Sequence, residues 1–132
     1  MDITYLCIEN LGPFRGKNHF DLTPHVGPQG TKPITLIGGH NGAGKTTFLE
    51  SIQICLHGQR ANLQKDNPST AYNDSIYGRI YESSEGIRDA NASVEIGVSV
   101  IQRGIEEQYQ IIRNWECSSS GAVKEDLLIK KN

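Results

Sequence analysis

Four of the seven residues from Gly38 to Gly44 are glycine, and Lys45, Thr46 and Thr47 follow at once. A stretch so poor in side chains neither fills a core nor propagates a helix, so its backbone is what it offers. Residues Gly39, His40, Asn41, Gly42, Ala43, Gly44, Lys45 and Thr46 fit the pattern G-x-x-x-x-G-K-[ST]. Glycines let the chain turn tightly and aim successive N–H groups into one concave nest where no Cβ intrudes. A helix starting at Lys45 adds the positive end of its dipole and its unpaired N–H groups. Lys45 then reaches the β- and γ-phosphates as a point charge, and the Thr46 hydroxyl is suited to Mg²⁺. Thr47 suits the α-phosphate side of the same nest.

The flanking residues suit this reading. Ile34-Thr35-Leu36-Ile37, between Pro33 and Gly38, is a short apolar run that predicts a buried strand. Phe48, Leu49, Ile52, Cys55 and Leu56 recur at helical spacing as one apolar stripe, with Gly58 placed for a left-handed terminus. Strand, glycine loop, helix is the order the chemistry requires. The bland alternative is a glycine-rich hairpin bearing an exposed lysine.

Elsewhere the pattern reads mostly as β-structure. Ile3 to Ile8 is apolar or β-prone on both faces, which predicts a buried strand, and Gly12-Pro13 marks a turn after it. A short strand is expected around Asn18 to Leu22, then a loop from Thr23 to Pro33. Gln59 to Thr70 is polar and reads as surface loop. Tyr72, Ile76 and Ile80 share a helical face across Ala71 to Tyr81, though Gly78 weakens that helix. Val94, Ile96, Val98 and Val100 alternate with polar residues and predict a half-buried strand. A turn at Arg103-Gly104 leads to a strand over Gln108 to Trp115, with Tyr109, Ile111 and Trp115 on one face. Val123, Leu127 and Ile129 suggest a last strand.

Composition excludes more than it selects. With 132 residues the chain has the length of one domain, and no run approaches the roughly 20 apolar residues of a membrane span. The N-terminus has no basic region before an apolar stretch, so a cytoplasmic setting is expected. Lys and Arg number 13 against 15 Asp and Glu, and neither half is a basic block, so direct nucleic-acid binding gains no support. Cys7, Cys55 and Cys117 show no metal-ligand spacing; Cys7 and Cys55 read as small core residues. His19, His25, His40 and His57 are scattered and have no carboxylate or serine at catalytic spacing. Asp66, Asp74 and Asp89 are not preceded by four apolar residues, so the acidic strand that supplies a second Mg²⁺ contact in phosphate-loop ATPases is not found. By itself Arg15 reads either as a solvated loop residue or as a phosphate contact.

The opening ITYLCIENLGPFRG, the segment ITLIGGHNGAGKTTFLESIQICLHG and the later strand pair resemble the N-terminal segment of SMC-like ATPases. Within that group, ENLGPFRG combined with GGHNGAGKTTFLE is most similar to DndD, the ATPase family of bacterial DNA phosphorothioate modification. The resemblance implies an α/β phosphate-loop NTPase fold over residues 1–132: the N-terminal lobe of an ABC-type ATPase head, a mixed sheet with antiparallel strands beside the phosphate loop and its helix. It also implies a coiled coil and a C-terminal lobe outside this segment. That lobe would hold the ABC signature and the catalytic glutamate, leaving no catalytic residue here. The implied cofactors are ATP and Mg²⁺. The implied partners are a second head that sandwiches the nucleotide, the chain's own C-terminal lobe, DNA-modification proteins and, through the full protein, DNA. Asn41 matches the asparagine of the family's G-x-N-G-[AS]-G-K-[ST] loop. Arg15 takes the place of the basic residue that contacts nucleotide in relatives, and Gly86-Ile87-Arg88-Asp89 resembles a turn near the adenine side. DNA double-strand-break repair is the alternative role within the same superfamily. A small phosphate-loop kinase, a transporter subunit and a non-catalytic interaction module are the readings outside it.

Overall fold

The computed structural model describes residues 1–32, 34–40, 42, 44–61 and 70–132. Seven strands and two helices follow the chain: β1 (Asp2–Leu11), β2 (Phe14–Asp21), β3 (His25–Gly27), β4 (Gly30–Lys32), α1 (Lys45–His57), α2 (Thr70–Arg79), β5 (Asn91–Gln102), β6 (Ile105–Cys117) and β7 (Val123–Lys131). Five strands form one sheet in the order β2-β1-β5-β6-β7, while β3 and β4 make a separate hairpin. Every strand pair described is antiparallel.

Alternation decides which face of the sheet is covered. Leu6 pairs with Ile96 and Ile8 with Val94, and all four are fully buried under the helices. Ile96 in turn faces Ile111, and Ala92 faces Trp115. Onto this face α1 brings Phe48, Ile54 and Cys55, and α2 brings Tyr72 and Ile76, with Ile80 just past its end. Each such side chain withdrawn from water contributes about 1.5–3 kcal/mol before entropy is charged against it. Edge-to-face contacts run from Phe14 to Phe20 and from Phe20 to Phe48, joining β2 to α1.

Several expectations need correction. Ile34 to Ile37 is not a buried strand: the segment has no regular structure, with Ile34 85%, Leu36 94% and Ile37 41% exposed. A buried strand needs paired neighbours on both edges, and none of the described strands pairs with it. The stripe on α1 is split for the same reason; Phe48 and Cys55 are buried, but Leu49 is 59% exposed. Only one face of β1 is covered, so Cys7 sits half-buried on the open face and not in the core. The second strand begins at Phe14, earlier than Asn18, and the loop from Thr23 to Pro33 contains the β3–β4 hairpin. The helix expected over residues 71–81 is α2, Thr70–Arg79, with Tyr72, Ile76 and Ile80 buried as its spacing requires. Most of the loop from Gln59 to Thr70 lies outside the described residues, as do Pro33, Asn41 and Ala43.

Candidate functional site

Helix α1 starts without the usual side-chain cap. Its N-cap is Gly44, at φ +105°, and no side chain bonds the first turn. The first intrahelical bond runs from the Phe48 N–H to the Gly44 carbonyl at 2.8 Å, so the N–H groups of Lys45, Thr46 and Thr47 have no helical acceptor. No acidic residue occupies that turn either. The helix therefore presents bare donors and an uncompensated positive dipole end to whatever lies before it.

Gly42, at φ +83°, approaches this helix start in a conformation that L side chains rarely adopt. Together with Gly44, Lys45, Thr46, Thr47 and Pro13 it lines a hollow of about 360 Å³. Lys45 and Thr46 are exposed there, and the Thr46 hydroxyl makes no hydrogen bond among the described residues. That donor set fits a triphosphate with its magnesium: unpaired N–H groups, one ammonium and one free hydroxyl, with no carboxylate to repel the anion. A larger hollow of about 480 Å³ lies across the sheet and is lined by Glu9, Glu116, Glu125 and Asp126. Its carboxylates make it the wrong place for a polyanion.

The wall opposite the glycine loop is the turn between β1 and β2. A Cβ at Gly44 would lie 2.6 Å from Phe14 Cζ and 3.0 Å from Pro13 Cγ, so turn and loop touch backbone to ring. Nothing in the spacing of the sequence announces that contact beyond the turn-forming Gly12-Pro13 pair. Arg15 stands at the far end of this turn, exposed, with its guanidinium carbon 5.9 Å from the centroid of Tyr81. It is not among the residues that line the hollow. Gly39 is exposed in the irregular segment before the loop, while Asn41 and Ala43 lie outside the described residues.

Arg88 is committed elsewhere. It donates to the carbonyls of Tyr77 at 2.7 Å and Ile80 at 3.2 Å, and pairs with Glu82 at 2.6 Å. It thus closes the C-terminal end of α2. The resemblance of its turn to an adenine-side contact finds no geometric support in these bonds.

A bare helix start fed by a positive-φ glycine loop, on a helix laid across a sheet, defines a phosphate-loop ATPase domain. The chain belongs to the AAA domain family, which it matches over residues 5–132. It is 30% identical over 98 residues to the DNA replication and repair protein RecF of Teredinibacter turnerae, a match covering 67% of this chain and 24% of that protein. It is 33% identical over 60 residues to the SbcC component of the nuclease SbcCD of Vibrio cholerae, covering 46% of this chain and 6% of that one. The chain thus spans about a quarter or less of the length of these relatives. No described helix is long and apolar enough to cross a membrane.

Proposed function

We propose that this chain is the ATP-binding N-terminal lobe of an SMC-like ATPase head, working in a protein that couples nucleotide binding and hydrolysis to the handling of DNA. One observation carries the reading: the unpaired N–H groups of Lys45, Thr46 and Thr47 open onto a hollow with no acidic lining. In this role the backbone from Gly39 through Asn41, Gly42, Ala43 and Gly44 cradles the phosphates. Lys45 neutralises the terminal ones, and Thr47 donates on the α-phosphate side. Thr46 holds the magnesium ion, which would spread the charge that builds up between the β- and γ-phosphates. Arg15, which does not line the hollow as it stands, would have to leave Tyr81 to reach the nucleotide from the turn opposite. A general base is not among these residues, so the isolated lobe binds ATP and turns it over slowly.

Ile34, Leu36, Ile37 and Leu49, next to the loop in the chain, are large apolar residues left exposed. A C-terminal lobe of the same protein is the natural cover for them, with a second head closing over the nucleotide. Two DNA processes fit. The pairing of ENLGPFRG with GGHNGAGKTTFLE favours phosphorothioate modification, and the names of the RecF and SbcC relatives favour repair.

The test is calorimetric titration of the chain with ATP and Mg²⁺, beside the Lys45→Ala variant. The reading expects saturable binding that weakens at least about tenfold in the variant, the loss of roughly one charge-assisted contact to phosphate. Equal binding by both proteins refutes it.

A further inference from the structure

We infer that Gly12 is a positioning residue for the nucleotide site: its missing side chain is the space in which Thr47 stands. The inference rests on the phosphate-site reading above and adds the residue that orients one of its donors. A Cβ on Gly12 would lie 2.6 Å from Thr47 Oγ1, 2.7 Å from Cγ2 and 3.1 Å from Cβ. All three side-chain heavy atoms of the threonine are therefore met at once. Rotation offers little escape, because a β-branched side chain in a helix has few open rotamers.

Neither partner is free to withdraw. Gly12 sits at φ +56° and donates its N–H to the Arg79 carbonyl at the end of α2. Just before it, Leu11 bridges to Ile80 and the Asn10 carbonyl accepts from the Tyr81 N–H at 2.8 Å. Asn10, itself at φ +54°, accepts the Gly16 N–H on its side chain at 2.7 Å and so closes the turn. Thr47 is fixed from the helix side, its carbonyl accepting the buried Ser51 hydroxyl at 2.6 Å. Arg79 also pairs with Glu50 of α1 at 3.0 Å, so the turn, the end of α2 and the start of α1 are held as one unit. With both backbones held, an alanine at residue 12 forces the Thr47 side chain out of its place and strains the donor on the α-phosphate side.

Gly16 supplies the matched control. It lies in the same turn at φ +63°, yet a Cβ there has nothing within 4 Å. Alanine at either position bears the same left-handed backbone cost, but only at residue 12 does it press on Thr47. The experiment titrates the chain and its Gly12→Ala, Gly16→Ala, Thr47→Ala and Gly12→Ala/Thr47→Ala variants with ATP and Mg²⁺, and melts each without nucleotide. The expected result is a loss of affinity on the order of tenfold in Gly12→Ala, the coupling that neighbouring residues in contact reach, with Gly16→Ala within about twofold of the parent. In the double variant alanine at residue 47 removes Oγ1 and Cγ2, the two atoms within 2.7 Å of the new Cβ, and affinity returns to that of Thr47→Ala alone. Equal losses in Gly12→Ala and Gly16→Ala, or additive losses in the double variant, overturn the inference. If Gly12→Ala melts below the assay temperature, the cycle is read in melting temperatures: recovery by Thr47→Ala supports the contact and no recovery refutes it. Lys45→Ala run alongside separates the two claims, since parental affinity there refutes the phosphate site itself.

Discussion

The guanidinium of Arg113, only 8% exposed, is held by groups from two other elements. Its Nε donates to the Cys55 carbonyl at 3.1 Å, and its Nη1 pairs with Glu125 at 3.2 Å. The second oxygen of Glu125 accepts from Trp115 Nε1 at 2.8 Å and from the Tyr72 hydroxyl. A Cβ at Gly58, itself at φ +56°, would approach Arg113 Nη1 to 2.9 Å, so both backbone and space favour glycine after α1. Removing one member of such a network leaves the other charge stranded in low dielectric, a larger penalty than the pair's net worth. Arg113→Ala is therefore expected to lower stability by about 3–5 kcal/mol. Lys131→Ala, which breaks the solvent-exposed pair with Glu107, should cost under about 1 kcal/mol. Urea denaturation of the two variants checks the difference; similar midpoints would mean the buried pair does not anchor α1 to the sheet.

Among the elements, those whose pattern is completed within this chain were legible, and those that need outside partners were not. Val94, Ile96 and Val98 alternate because β5 lies between β1 and β6 with one face covered, and the structure keeps that register. Tyr72, Ile76 and Ile80 mark the buried side of α2 as directly. Ile34 to Ile37 carries the same apolar signal but has no described strand paired with it, so a correct reading of composition led to an incorrect reading of burial. The candidate site divides in the same way. Glycines, lysine and threonines in a fixed spacing disclose the loop, whereas the contact of Gly12 with Thr47 joins residues far apart in the chain and leaves no periodic trace. The exposed segment makes a prediction of its own. Leu36→Ser should shift the stability of this chain by no more than about 0.5 kcal/mol, as surface substitutions do, and improve its solubility. Leu6→Ala, which opens a cavity between β1 and the helices, should cost about 2–5 kcal/mol. Thermal melts of both variants decide it, and a large loss from Leu36→Ser would show the segment packed in solution.

At the scale of the whole molecule, charge is nearly balanced, with a net value of −2 at pH 7, so pH acts through particular buried groups. Burial is the main cause that pushes the Cys55 thiol from the ordinary 9.0 up to about 12, against the nearby Arg113 charge. Tyr5 rises from 10.0 to about 12, first through burial and then through its hydrogen bond to Glu95. Both groups keep in the folded state a proton that the unfolded chain releases at lower pH. Their contribution to stability is fully present below about pH 9 and is lost progressively as the pH climbs toward 12, because the unfolded state then binds fewer protons than the folded one. Urea midpoints measured from pH 7 to pH 11 should therefore be level at first and fall above about pH 9. Cys55→Ala should flatten the early part of the decline and Tyr5→Phe the later part, since their ordinary values differ by one unit. A midpoint that holds constant to pH 11 would mean that water reaches Cys55 beneath the sheet. The packing of α1 on β5 and β6, which seats the phosphate loop, would then be looser than the buried Cys55, Val94 and Trp115 require.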